Sequence, residues 1–328
     1  MGCPNCSAAH NCPLDYARVQ THQRFAIPRG LNGIFNVNKP AGMTSHDVVN
    51  IVRRASRASR VGHAGTLDPI ATGVLLVCIG QGVRVSEYLT DHDKKYRARF
   101  RLGVATDTDD ATGAIIAQRE AAGVSREQIE IALKSFVGKI AQMPPAYSAI
   151  KRDGIPLYKL ARRGIEIEIE PRNVEIFEIS LIETVLPEIE IDVYCSKGTY
   201  IRSIARDLGE KLGCGAMMTA LTRTASGNFS LSDAIALDDL RGALDTGFAE
   251  RYIYPLDDAL LQYEAIIVEP QLAKDIQQGK SLNCGREFAT PFLRAYTADG
   301  DFIAILERRS AEMWKPRKVF LTGHWQQP

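Results

Sequence analysis

Between Gly62 and Gly73 the chain reads GHAGTLDPIATG, which places one carboxylate, Asp68, before a proline and among small residues. A carboxylate can serve as a base or as a modest nucleophile. An Asp-Pro step also simply makes a turn, and most loop aspartates do no more than that. Two features separate this one. Gly62, Ala64, Gly65, Ala71 and Gly73 let backbone or a ligand come close. The run VLLVCIG that follows reads as a buried strand, which would hold the loop on a rigid element. A hydrolytic glycosidase would set two carboxylates across the scissile bond, and this motif offers one.

The elements that must position Asp68 are legible from periodicity. GIFNVNKP reads as a short strand stopped by Pro40 and Gly42. HDVVNIVRRAS gathers Val48, Val49, Ile51 and Val52 on one stripe, and Ser45 stands where an N-cap would. VRVSEYLT reads as a short helix. KKYRARFRLG alternates strictly, with Tyr96, Ala98, Phe100 and Leu102 facing one way and Lys95, Arg97, Arg99 and Arg101 the other. SREQIEIALKSFVG is an amphipathic helix with Ser125 as its cap. Residues 139–165 read as one long loop, a length that in compact domains usually serves function. IEIEIEP, VEIFEIS and EIEIDVYC alternate as strands, and TYIRSIARDLGEKLG is a helix closed by Gly213. From about 265 to 328 short strands such as FIAILE and KVFL indicate a small β-rich unit.

Composition narrows the class without naming it. The 328 residues, 45% hydrophobic and 24% charged, are those of an ordinary globular chain. No apolar run approaches the roughly 20 residues of a membrane helix, and the N-terminus lacks a signal-peptide pattern. Seven scattered cysteines form no disulfide framework and suit the cytoplasm. The net charge is only +1, but it is unevenly spread. Lys39 to Arg101 holds 11 Lys and Arg against 5 acids, whereas Glu175 to Asp192 holds 6 acids and no base. A neutral total could thus hide a basic face able to steer a phosphate backbone.

GHAGTLDPIATGVL resembles the catalytic motif of the TruB family of pseudouridine synthases. The resemblance continues in order through NKPAGMTSHDVV, KKYRARFRLGVATDTDDATG, QMPPAYSAIKRDGIPLYKLARRG and SKGTYIRSIARDLGEKLGCGA, from about Gly33 to Leu260. It implies an α+β catalytic domain, residues 31–260, on a mixed and largely antiparallel sheet, followed by a small PUA-like RNA-binding domain at 265–328. It implies isomerisation of uridine to pseudouridine at position 55 in the tRNA T-loop, with no metal and no cofactor. Asp68 matches the essential Asp, and Arg202 the arginine that pairs with it and would hold it ionised. Tyr96 matches the tyrosine on which the flipped uracil stacks; Tyr200 and Leu221 match further pocket residues. His63 matches a histidine that contacts the opened T-loop, and Lys39 a lysine near the cleft, a phosphate or structural contact. The loop at 139–165 matches the segment that clasps the T-stem-loop, where Lys151, Arg152, Lys159, Arg162 and Arg163 would meet phosphates.

Residues 1–30 have no counterpart in the family core and read as a disordered extension, although Cys3, Cys6 and Cys12 with His10 faintly suggest a zinc knuckle. Two rival functions share the same motifs. An RNA chaperone without catalysis is disfavoured because Asp68, Tyr96, Tyr200 and Arg202 are all present. A guide-RNA-dependent synthase is disfavoured because no basic tail follows KVF. The expectation is therefore a monomer that acts on tRNA by itself, with neither guide RNA nor membrane.

Overall fold

The computed structural model describes residues 30–148, 151–152, 155–156, 169–285 and 287–320. Strand β1 (Gly33–Lys39) leads into helix α1 (Ser45–Ser56), and β2 (Val61–Ala64) brings the chain to the Asp68 loop. Strand β3 (Thr72–Ile79) leaves that loop. Its Leu75, Val77 and Ile79 enter one hydrophobic core and Val74, Leu76 and Cys78 another. A strand covered on both faces has no reason to alternate, hence the unbroken VLLVCI run.

The α1 cap is Thr44, not Ser45. The Thr44 hydroxyl accepts from the Asp47 amide at 3.1 Å, and Asp47 Oδ2 accepts from the Thr44 amide at 2.9 Å. Thr44 has the extended backbone (ψ 157°) that aims a cap side chain at the first turn. Ser45 is already inside the helix, and its hydroxyl does other work at the site.

Further along come helix α2 (Ser86–Thr90), strand β4 (Lys94–Leu102), helix α3 (Arg126–Lys134) and strand β5 (Gly138–Gln142). Strands β6 (Arg172–Val185) and β7 (Glu188–Cys195), helix α4 (Ile201–Lys211), strand β8 (Ala216–Ser226) and helix α5 (Leu237–Asp245) complete this unit. The main sheet runs Ile235–Ala236, β1, β3, β8, β4, β7, β6, β5. Its pairings are antiparallel except β1 with Ile235–Ala236 and β3 with β8. The mixed, largely antiparallel α+β fold is as expected. The long loop is shorter than expected, because residues 139–142 form β5 and pair with β6. The IEIEIEP segment falls largely outside the described residues.

The basic row is also corrected. Strand β4 alternates as the sequence dictates, with Tyr96, Ala98, Phe100 and Leu102 buried. Its neighbour, however, is β7, the end of the acidic run. Arg97 lies opposite Asp192 and Arg99 opposite Glu190, with ion pairs at 2.8 and 3.1 Å. Exposed pairs of this kind contribute at most about 1 kcal/mol each. Their consequence is neutralisation: two arginines that would make this face basic already have carboxylates.

Where β3 meets β8, Gly73 has φ +95°, and a Cβ there would lie 2.3 Å from the Arg223 carbonyl oxygen. Gly73→Ala should therefore lose more than the about 1–2 kcal/mol that left-handed backbone alone costs an L-residue. A urea unfolding midpoint unchanged from wild type would contradict this.

A second sheet begins at β9 (Glu264–Val268) and includes β10 (Phe292–Thr297), β11 (Phe302–Arg308) and β12 (Met313–Val319), with helix α6 (Pro270–Gln277) packed against it. Ile305 and Phe320 share a core with Val74, Leu76, Tyr88 and Leu89. Arg84 Nη1 donates to the Val319 carbonyl at 2.6 Å. The terminal sheet thus backs the strand that carries the Asp68 loop. Among the described residues no helix is long and apolar enough to cross a membrane.

Candidate active site

The Asp68 loop is fastened on every side by groups that need no substrate. The Ser45 hydroxyl donates to the Leu67 carbonyl at 3.0 Å and accepts from the Leu67 amide at 2.8 Å. The Gly42 amide donates to the Pro69 carbonyl at 2.8 Å. Arg223, 1% exposed, donates from Nε to the Val74 carbonyl at 2.6 Å and from Nη2 to the Gly65 carbonyl at 2.9 Å. Asp68 closes its own turn, its carbonyl accepting from the Ala71 amide at 3.0 Å. The Asp-Pro turn foreseen as the plain alternative is present; the carboxylate does more than make it.

The Asp68 side chain keeps 37% of its surface open, while its partner Arg202 is 6% exposed. Arg202 Nε meets Asp68 Oδ2 at 3.0 Å. The guanidinium is itself aimed from two sides. Nη1 donates to the Thr108 carbonyl at 3.1 Å and lies 3.5 Å from Asp110 Oδ2. Nη2 donates to the Tyr147 carbonyl at 3.2 Å. Asp110, also buried, is fixed through Oδ1 by the Thr108 hydroxyl at 2.9 Å and the Thr112 amide at 2.9 Å. Read from α4 alone, Arg202 would be an exposed arginine in a first turn; the turns at 106–110 and 143–147 cover it instead.

Burial raises the Asp68 carboxyl above its usual range, Arg202 opposes this, Asp110 adds to it and Lys39 pulls back. The cation that the resemblance pairs with Asp68 is in place, and burial of the loop works against it. Lys39 is fully buried, and burial lowers its ammonium to about 8. Its Nζ donates to the carbonyls of Met43 at 2.6 Å, Pro40 at 2.9 Å and Pro69 at 3.4 Å. Those acceptors tie the NKPAGMT segment to the Asp68 loop and occupy the donors a phosphate would need.

Tyr96 stands on β4 opposite Val193 and Arg223, 9% exposed. Tyr200 is the N-cap residue of α4, and its backbone is held by Gln142, which donates to the Tyr200 carbonyl at 3.0 Å and accepts from its amide at 2.8 Å. Burial pushes both phenols up, and both lie within the field of Asp68. Leu221 faces Ala98 across the β8–β4 pair, and its carbonyl accepts from the Thr72 hydroxyl at 3.4 Å. His63, on β2, lies near Arg223 and His46, and burial lowers its imidazole. The backbone at Lys151 and Arg152 pairs antiparallel with that at Ile155 and Pro156. Lys159, Arg162, Arg163 and the cysteine-bearing segment 1–29 lie outside the described residues. Among the described residues no three His, Cys, Asp or Glu side chains are grouped to hold a metal.

Asp110, Gln142 and Arg223 carry no signal of their own in the sequence. DTDDATG and QMPPAY contain the first two, but no periodicity marks one acid or one amide among its neighbours.

Two solved structures share this architecture. One is an H/ACA RNP bound to a substrate RNA containing 2'-deoxyuridine, with TM-score 0.69 at 23% identity, covering 89% of this chain and 86% of that one. The other is a Cbf5-Nop10-Gar1 complex, with TM-score 0.69 at 25% identity and the same coverage. The fold is that of the pseudouridine synthases. Residues 53–201 match the TruB family pseudouridylate synthase N-terminal domain, and residues 202–267 the tRNA pseudouridylate synthase B C-terminal domain. Proteins named tRNA pseudouridine synthase B are similar over most of the chain. That of Alkaliphilus oremlandii is 47% identical over 252 residues, 77% of this chain and 83% of the relative. That of Clostridium tetani is 41% identical over 273 residues, 82% and 93%. That of Dehalococcoides mccartyi is 40% identical over 291 residues, 89% and 97%. The chain belongs to the TruB family of tRNA pseudouridine synthases, and its chemistry is the isomerisation of uridine to pseudouridine.

Proposed function

We propose that this enzyme isomerises the uridine at position 55 in the T-loop of tRNA, acting by itself, with Asp68 as the reacting carboxylate and the target base flipped into the cleft. The observation that carries the reading is a half-open carboxylate held 3.0 Å from a buried arginine, in a loop that other side chains have already immobilised. Isomerisation breaks the bond from the ribose C1′ to N1, turns the uracil and joins C1′ to C5. The C5 proton is lost and N1 gains one, so no oxidant and no co-reactant enters. Asp68 acts directly on the nucleoside as nucleophile or base. Tyr96 stacks on the uracil, which contributes about 1–3 kcal/mol toward the few kcal/mol that unstacking costs. Tyr200 and Leu221 line the pocket, and His63 meets the opened loop. Lys39 acts by holding the Asp68 loop. Lys151, Arg152, Lys159, Arg162 and Arg163 meet phosphates, and recognition comes from the shape of the loop and its unstacked bases.

The same reading divides the chain into an extension at 1–30, a catalytic unit at 31–260 and a PUA-like RNA-contacting unit at 265–328. It makes the enzyme a cytoplasmic monomer that needs no guide RNA. It is tested by incubating the purified protein with unmodified tRNA transcript and mapping pseudouridine chemically. The expected result is product at position 55 without added RNA or metal. Product elsewhere in the tRNA, with none in the T-loop, would overturn the site assignment.

A further inference from the structure

Arg206 lies one helical turn beyond Arg202 on α4 and touches none of the groups assigned to substrate. Its guanidinium is nonetheless engaged on all sides. Nη1 meets Asp109 Oδ2 at 3.1 Å, Nε donates to Asp207 Oδ1 at 2.9 Å, and Nη2 donates to the Met143 carbonyl at 2.9 Å. The Asp207 contact is to a sequence neighbour and anchors only the helix to itself. The other two reach separate segments, and both segments end on Arg202.

The residues flanking Asp109 are Thr108, whose carbonyl accepts from Arg202 Nη1 at 3.1 Å, and Asp110, whose Oδ2 lies 3.5 Å from the same nitrogen. Asp109 sits at φ +62°, left-handed backbone that a residue with a Cβ seldom adopts unless its surroundings enforce it. Its carbonyl accepts from the Met218 amide at 3.0 Å, which docks the turn on β8. On the other side Met143 opens the segment that reaches Tyr147, whose carbonyl accepts from Arg202 Nη2 at 3.2 Å. The Met143 carbonyl also accepts from the Ser203 hydroxyl at 2.8 Å, so α4 grips the start of that segment twice. The two walls that aim Arg202 therefore share one root.

We propose that Arg206 is a positioning residue for the isomerisation: by fixing Asp109 and Met143 together it holds both walls that aim Arg202 at Asp68. The guanidinium fork is what the role demands, since a lysine ammonium on a flexible stem lacks the planar fork that serves a carboxylate and a carbonyl together. The proposal rests on Asp68 as the reacting carboxylate.

The test is single-turnover pseudouridine formation at saturating tRNA transcript, with product counted over the whole tRNA so that it does not depend on position 55. R206M should slow the reaction about 10- to 100-fold, the scale on which small misplacements act. The tRNA Kd should change by less than about 3-fold, because no assigned RNA contact is lost. R206K should recover part of the rate through the Asp109 pair alone. Because Arg206 acts through Arg202, R206M should cost less than about 3-fold when added to R202K, a non-additive cycle. D109N, which keeps shape and removes the ion pair, should slow the reaction in the same direction and serves if R206M does not fold. Wild-type rates in folded R206M or D109N, or an equal R206M loss in both backgrounds, would overturn the proposal. An active D68N enzyme would instead sink the reading of Asp68, which makes the two failures distinguishable.

Discussion

Asp68→Asn is expected to abolish pseudouridine formation while tRNA binding persists. The rate should fall on the order of 10⁴-fold or more, the upper end of what one positioned carboxylate supplies. The amide keeps the shape of the side chain and an oxygen that can still accept from Arg202 Nε, so the cradle should stand. Burial raises the Asp68 carboxyl in the folded protein, so ionising it is harder there than in the unfolded chain. Replacing it by a neutral isostere should therefore leave the melting temperature no lower than wild type. A filter-binding measurement alongside the rate separates the outcomes. Loss of tRNA binding together with turnover would make Asp68 a structural residue.

The second large effect belongs to Arg202. Arg202→Met should slow the enzyme and also destabilise the fold, because the guanidinium serves two carboxylates at once. Asp110 would be left buried without its cation, and breaking a buried pair by removing one partner costs about 3–5 kcal/mol. Urea denaturation reads that loss directly. The pH profile reads the other half. Burial already raises Asp68, so activity should fall on the acid side at a higher pH than an ordinary aspartate, near 3.9, would give. Arg202 opposes that rise, and its removal should move the acid limb of kcat/KM further up. A limb that stays in place would mean that Arg202 does not govern the charge on Asp68.

Much of the frame was legible in the sequence. Strict alternation in KKYRARFRL put Tyr96 on the buried face, as found. The unbroken run after Asp68 marked a strand covered on both sides, as found. Ser125 caps α3 through a reciprocal bond with Gln128, as its position foretold. Each of these depends on neighbours a few residues away. The near misses are instructive in the same terms. Thr44 and Ser45 both carry cap-type side chains, and the extended backbone of Thr44 and its reciprocal bonds with Asp47 decide between them. Residues 139–142 have no strong pattern of their own and become a strand because β6 offers an edge.

The sequence by itself determined the chemistry available: a lone carboxylate in a backbone-tight turn ahead of a rigid strand, with tyrosines and an arginine in blocks that resemble one family. Only the tertiary structure decided which charges act. Arg97 and Arg99 are neutralised because sheet register sets them opposite Asp192 and Glu190. Lys39 is drawn onto three carbonyls in the core. Arg202 becomes the partner of Asp68 because two distant turns close over α4. The reason is physical: local patterns report which face of an element is apolar, whereas burial and pairing of a charge depend on what the closed sheet brings against it from elsewhere in the chain.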